Sequence, residues 1–537
     1  MAPSPHDLAR RFGQLAPEKR RQFLDALAAA GVDFRLLPIP AAPRPNGRAP
    51  LSFAQNRMWV AQQMGGNGAL NTIAGGLRLD GTLDADALAA AFADLAARHE
   101  ALRTTFTLTP DGVPEQVIHE TAPVFLDHVD LSDTADPAAR LKALSDADAA
   151  RPFDLLAGPL TRATLVRLAP DAHVLLLTQH HIVSDGASLA VLLRDLMALY
   201  AARRAGIPAP LALPPLHYAD YAVWQRNWLE AGEMARQIEG WRTRLGDGGA
   251  LLALPTDRPR PATQSHRGGR HAVTLPPELV ARLRAVTREA GASTAMGLMA
   301  VLLALLFRLT GERDLRLGIP ASNRDRPETQ DLVGLLVNTL VIRTEICGAI
   351  SYRELLDAAR AALLDAQMLQ DAPFEEVVEA LQPERSLARS PLFQVMHSHL
   401  VDERPARMAG LTLSPVARDT GAIAFDLVLE TTEQPDGAIV AAFGYARDLF
   451  RAATVERMAE LFLALAARCL AVPDAAIADF PLVDEVTLDQ LSAPWPGDLR
   501  LADGLMPQLI AEAGRRRRGW RWASGVGRAR WRRSSAC

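Results

Sequence analysis

The sequence predicts an α/β protein built as two lobes. Three observations carry this. Strand-like and helix-like apolar patterns alternate along most of the chain. The 537 residues, 49% hydrophobic, are enough for more than one core. The alternation also breaks at a Pro-rich stretch, PAPLALPP (208–215), and resumes beyond it, which divides the chain near residue 225 into two α/β regions.

The elements follow in order. Residues 16–30 place Phe23, Leu24 and Leu27 on one helical face and stop at Gly31. The run PIPAAPRPNGRAP (38–50) reads as a stiff, exposed linker, so residues 1–48 are expected to form an N-terminal helix and linker. A first lobe, 49–225, should hold a strand at 72–81, an amphipathic helix at 84–100, a buried strand at 173–180 and a helix at 187–204. A second lobe, 226–490, follows two Trp-bearing helices and a loop at 256–269. Its expected helices are 277–290, 294–309, 352–369 and 453–470, and its strands lie near 338–343, 423–430 and 438–444. Residues 491–537 are expected to be a linker and an Arg- and Trp-rich tail, unstructured from about 514. The lead-in LMPQLIAEAGRRR suggests a truncated or frameshifted piece of a longer protein.

Charge narrows the function. The formal net charge is −4, but residues 515–537 hold nine Arg and no acid, which leaves −13 on residues 1–514. A basic face for nucleic acid is therefore not expected. Three cysteines without a CxxC pair exclude a disulfide framework and a cysteine zinc site, and no metal site is expected. The first residues lack the apolar core of a signal peptide, and no long uncharged apolar stretch occurs. The expectation is a cytoplasmic protein without a membrane segment.

The chemistry concentrates in QHHIVSDG (179–186), where a buried strand gives way to a helix. Strand ends are where α/β sites form. Neighbouring strand residues point to opposite faces, so one of His180 and His181 can act while the other supports it. Asp185 can accept hydrogen bonds or pair with an arginine at the helix start, and Gly186 permits backbone geometry that a β-carbon would forbid. GASLA (186–190) has some likeness to a serine nucleophile elbow, but GASTA recurs at 291–295 with no strand before it, so the hydrolase reading is the weaker one.

With six further segments in order, the motif resembles the condensation domains of nonribosomal peptide synthetases, whose signature HHxxxDG falls here on His180, His181, Asp185 and Gly186. The accompanying segments are LSFAQNRMW (51–59), RHEALRTTF (98–106), YADYAVW (218–224), VGLLVNTLVIR (333–343), QDAPFEEVV (370–378) and RSPLFQVM (389–396). The resemblance implies two lobes like those of chloramphenicol acetyltransferase, set in a V with a tunnel between them. It implies amide formation between a carrier-bound acyl or peptidyl thioester and a carrier-bound aminoacyl acceptor, with His181 at the catalytic position. No cofactor would be permanently bound, because phosphopantetheine arms of partner carrier proteins bring both substrates. Donor and acceptor peptidyl carrier proteins are the expected partners, in trans from upstream, with an adenylation domain as a further candidate.

By the same resemblance Asp185 is structural and pairs with an arginine, for which Arg57 and Arg324 are the candidates. Asn338 would line the tunnel and bond an arm or the oxyanion, or else cap a strand, and Ser184 is a second candidate for substrate contact. The family often has Trp where Ala187 stands and Phe where Leu336 stands, which bears on donor size. A starter-type domain that adds a fatty acyl group, a transferase using free acyl-CoA and a non-catalytic remnant are the rival readings.

Overall fold

The computed structural model describes residues 3–64, 68–121, 126–246, 252–346, 349–382, 386–402, 407–418, 420–481, 520–521 and 532–533. Helices and strands alternate as the sequence patterns require. The strands Thr72–Asp80 and Ala172–His180 and the helices Ala85–Arg98 and Gly186–Ala205 lie within a residue or two of their expected limits. The same holds for Pro277–Glu289, Thr294–Thr310, Tyr352–Gln367 and Ala452–Ala471.

The first lobe is organised around a six-stranded sheet. Its order is Arg407–Met408, Leu411–Val416, Thr72–Asp80, Ala172–His180, Thr161–Ala169, Leu126–Asp130. Ala172–His180 lies inside this sheet, with Thr72 opposite His180 on one side and Thr161 opposite Gln179 on the other. Eight of its nine residues are buried, which is why it reads as an unbroken apolar run rather than an alternating one. The second lobe has its own six-stranded sheet, in the order Asn338–Glu345, Asp314–Ala321, Val395–Val401, Leu427–Glu433, Ile439–Ala446, Gly268–Thr274. Helix Thr294–Thr310 packs on it with buried residues on every side from Gly297 to Leu306, as a leucine-rich helix without a polar face must.

Three features differ from the sequence expectation. The N-terminal part contains two helices, Pro5–Gln14 and Pro17–Ala29, where one was expected. Nor is 38–50 a free linker. Leu37, Ile39 and Ala49 are buried, Arg44 pairs with Glu100 and Asp220, and Arg48–Pro50 is a strand against Pro114–Ile118. Phe12 and Phe34 enter the first core, and the Phe34 ring stacks on Trp224 at 6.4 Å. The division near 225 falls inside helix Tyr218–Trp228. The chain passes through a π-helical turn, Leu229–Glu233, into Met234–Leu245, and its buried residues change cores between Ala231 and Ile238.

The lobes also exchange chain. Leu411–Val416, from the second half, joins the first sheet beside Thr72–Asp80, and Leu332, Val333, Leu335 and Leu336 enter the first core. The expected unstructured tail lies outside the described residues, apart from Trp520–Arg521 paired with Arg532–Arg533 in a ladder of its own.

Candidate active site

The strand Ala172–His180 delivers the histidine pair to its end. One 3₁₀ turn, His181–Val183, separates it from helix Gly186–Ala205, so the motif is a tight corner between a buried strand and a helix. Asp185 is the N-cap of that helix, and its Oδ1 accepts from the Ser188 amide at 2.8 Å.

The two histidines differ as the alternation requires. His180 is 2% exposed. Its Nδ1 accepts from the Ile182 amide at 3.1 Å, and its ring stands edge-on to Phe153. Burial, with a smaller contribution from His181, lowers its pKa to about 4, so it is a neutral supporting residue at neutral pH. His181 is only partly buried. Its Nδ1 lies 2.8 Å from the Ser184 carbonyl oxygen. A carbonyl only accepts, so Nδ1 carries the hydrogen and the neutral ring has its lone pair on Nε2. Burial holds the His181 pKa below that of free histidine; Asp185 opposes this and the Arg57 cation adds to it. A neutral imidazole in a fixed tautomer with an accepting Nε2 can serve as a base.

Asp185 ties the corner to the second half of the chain. Its Oδ1 accepts from Arg324 at 2.6 Å, and its Oδ2 accepts from the Leu336 amide at 3.0 Å. Ser188 Oγ, 2.8 Å from Asp185 Oδ1, accepts from the Gly334 amide and from Arg324. Arg324 and Asp185 are 7% and 3% exposed. Of the two candidate partners, then, Arg324 makes the pair. Arg57 instead reaches across to Glu375 in the other lobe, with Nη1 to Oε1 at 2.8 Å.

Three further expectations change. Asn338 does not present a free amide. Its Nδ2 donates to the Gln370 and Ala372 carbonyls at 2.8 and 2.7 Å, and its Oδ1 accepts from the Phe374 amide at 3.1 Å. With both amide hydrogens taken, it pins the loop 370–374 rather than offering a donor to an oxyanion. Ser184 is fully buried, and its carbonyl, not its hydroxyl, serves the site by fixing the His181 ring. Gly186 is not held in the left-handed region, and a β-carbon there would meet nothing within 4 Å. Its lack of a side chain leaves open space at the head of the helix, where the first N–H groups have no partner inside the helix.

Sequence reasoning did not single out Ser188, Gly334 or Glu375. Gly334 and Glu375 lie within the motif segments 333–343 and 370–378, but their partners stand more than a hundred residues away.

The comparisons with known proteins agree with this site. The model of the condensation domain family matches residues 46–492. Phosphinothricin tripeptide synthetase PhsC of Streptomyces viridochromogenes is 37% identical over 92% of this chain and 46% of its own length. A component of the linear gramicidin synthase of Brevibacillus parabrevis is 42% identical over 466 residues, which is 86% of this chain and 6% of that protein. The chain thus spans well under two thirds of these relatives. Among solved structures, the X-domain from teicoplanin biosynthesis superposes with a TM-score of 0.74 at 32% identity, covering 83% of this chain and all of that one. The first condensation domain of the calcium-dependent antibiotic synthetase gives 0.69 at 24% identity over 81% of this chain and all of that one, and so bears on the fold alone.

Proposed function

The chain belongs to the condensation-domain family, and from that premise we propose that it forms an amide bond between a carrier-bound acyl or peptidyl thioester and a carrier-bound aminoacyl amine. The observation that carries this reading is the His181 ring, held by Ser184 in the tautomer that leaves Nε2 free to accept a proton.

The amine nitrogen attacks the thioester carbonyl carbon, a C–N bond forms and the C–S bond breaks. The nitrogen sheds one proton and the departing thiol takes one up. An α-amine with a pKa near 8 is already about one tenth neutral at pH 7, so the site need only orient it and receive the surplus proton. His181 Nε2 is the receiver, and the same imidazolium can return the proton to the sulfur. Base catalysis of this kind contributes roughly 10²–10⁴-fold, and holding both arms in one site contributes at least as much through effective concentration. Asp185 and Arg324 set the corner's geometry and take no proton. The phosphopantetheine arms belong to the carrier partners and are substrates here. The expected setting is the cytoplasm, and no single described helix is long and apolar enough to cross a membrane.

The test mixes the purified chain with an acyl-loaded donor carrier and an aminoacyl-loaded acceptor carrier, beside His181→Ala, and follows the acceptor's intact mass. Acyl transfer only with His181 present supports the proposal. If the folded protein transfers nothing across a panel of carrier-bound and CoA-bound donors, catalysis is excluded. A role in docking a partner protein then takes its place, as in the complex of the X-domain with OxyB.

A further inference from the structure

Two ion pairs join the lobes around the histidine corner, and they differ in kind. Asp185–Arg324 is almost wholly buried and is reinforced by the Ser188 hydroxyl and the Leu336 amide. Arg57–Glu375 is a single contact with its partners 28% and 39% exposed. An exposed single pair contributes only about 0.2–1 kcal/mol and is screened by salt.

Both ends of this weaker pair are nonetheless rigidly mounted. Arg57 sits on helix Phe53–Gln63, whose start is fixed by a Ser52–Gln55 capping box, and Gln55 also donates to the Ile182 carbonyl next to His181. Glu375 lies in the first turn of helix Phe374–Leu381, where a carboxylate suits the helix dipole. The loop before it is pinned by Asn338 and by Gln237, which bonds the Asp371 carboxylate and the Ala372 amide. A fixed cation and a fixed anion thus meet across the lobes beside a base that must stay neutral.

We infer that Arg57 and Glu375 are positioning residues for His181: Arg57 keeps the imidazole unprotonated, and Glu375 moderates and aims that cation from the opposite lobe. This rests on the proposed base role of His181. The charged or titratable groups around the ring are His180 behind it, Asp185 with Arg324 on the helix side, and Arg57 with Glu375 from across the lobes. The Arg57 cation acts against imidazolium formation and the Asp185 carboxylate favours it, in line with this assignment.

The two members of the pair should therefore act in opposite directions. Losing the cation makes the imidazolium easier to form, and losing the carboxylate leaves the cation uncompensated and makes it harder. A residue that merely held the lobes together would give no such sign reversal.

The experiment is an NMR titration of the substrate-free full chain with labelled histidines, twelve in all, using the spectrum of His181→Gln to identify the resonance. Arg57→Gln is expected to raise the His181 midpoint by about half a unit or more, Arg57→Lys to keep it near the wild-type value, and Glu375→Gln to lower it. The acid limb of transfer activity should move the same way. An unmoved midpoint in Arg57→Gln, or a shift of the same sign in Arg57→Gln and Glu375→Gln, overturns the inference. Because the titration needs no substrate, a wild-type chain that fails to transfer acyl groups overturns the functional proposal and leaves the pair's effect on His181 separately decided. Circular dichroism confirms folding, and Arg57→Lys provides the conservative control.

Discussion

Gly186 shows most directly how a single residue links the fold to the reaction. It begins the helix that follows Asp185, its backbone needs no special conformation, and a methyl group there would project into open space. Stability gives no reason for glycine at this position, and alanine is the better helix former by as much as about 1 kcal/mol. The remaining reason is room beside the corner that carries His181. Gly186→Ala should therefore melt at the same or a slightly higher temperature while losing at least about tenfold in acyl transfer, roughly 1.4 kcal/mol of transition-state stabilisation. Unchanged transfer would remove Gly186 from the site. At this scale the sequence made the histidines and Asp185 legible, because strand alternation and capping are local. It did not reveal which arginine meets Asp185, since Arg324 lies 139 residues away and Arg57 pairs with a residue 318 away. Only the fold could decide that, and only the fold could show that the Asn338 amide is already spent on the loop 370–374.

Among the elements, the segment from Arg324 to Asn338 does the most to place the site. It starts with the Asp185 partner, passes Gly334 and Leu336 against the helix start, and ends at Asn338, the first residue of an edge strand of the second sheet. Gly334 is the tight point. A β-carbon on it would stand 1.9 Å from the Tyr218 ring, which is buried and bonded to Ser52 and to the Leu335 carbonyl. Overpacking of this kind typically costs about 1–3 kcal/mol. Gly334→Ala should lower the urea midpoint and slow transfer, and adding Tyr218→Leu, which removes the obstructing ring, should recover part of the lost stability. No recovery in the double variant would place the cost in the backbone instead. Periodicity located the principal helices and strands of both lobes because each buries a face of its own. It did not locate the crossing of Leu411–Val416 into the first sheet, because strand pairing depends on partners from Thr72–Asp80 that local pattern does not specify. The same holds for the Pro-rich stretch 38–50, whose composition suggested exposure while Ile39 and Ala49 are in fact buried.

For the whole molecule, the exchange of segments argues against lobes that unfold separately. Residues 332–336 and 411–413 from the second half lie in the first core, the Asp185–Arg324 pair is buried between the halves, and residues Met1–Phe480 form one compact unit. Each lobe also encloses a histidine that resists protonation. His180 is lowered to about 4 and His397, beside Thr431 in the second sheet, to about 3, both mainly by burial. An unfolded histidine titrates near 6.5, so between that value and the folded one the unfolded chain binds more protons. The native state therefore keeps its full advantage above about pH 6.5 and loses about 1.4 kcal/mol per pH unit for each such histidine as the pH falls toward 4. Replacing His397, which lies outside the site, by Gln should flatten this acid loss. If the lobes are coupled as their shared segments require, the flattening will appear in a single urea transition followed from pH 7.5 down to 5. Two transitions, with the change confined to one of them, would mean that the crossing strand and the buried pair do not bind the lobes into one cooperative unit.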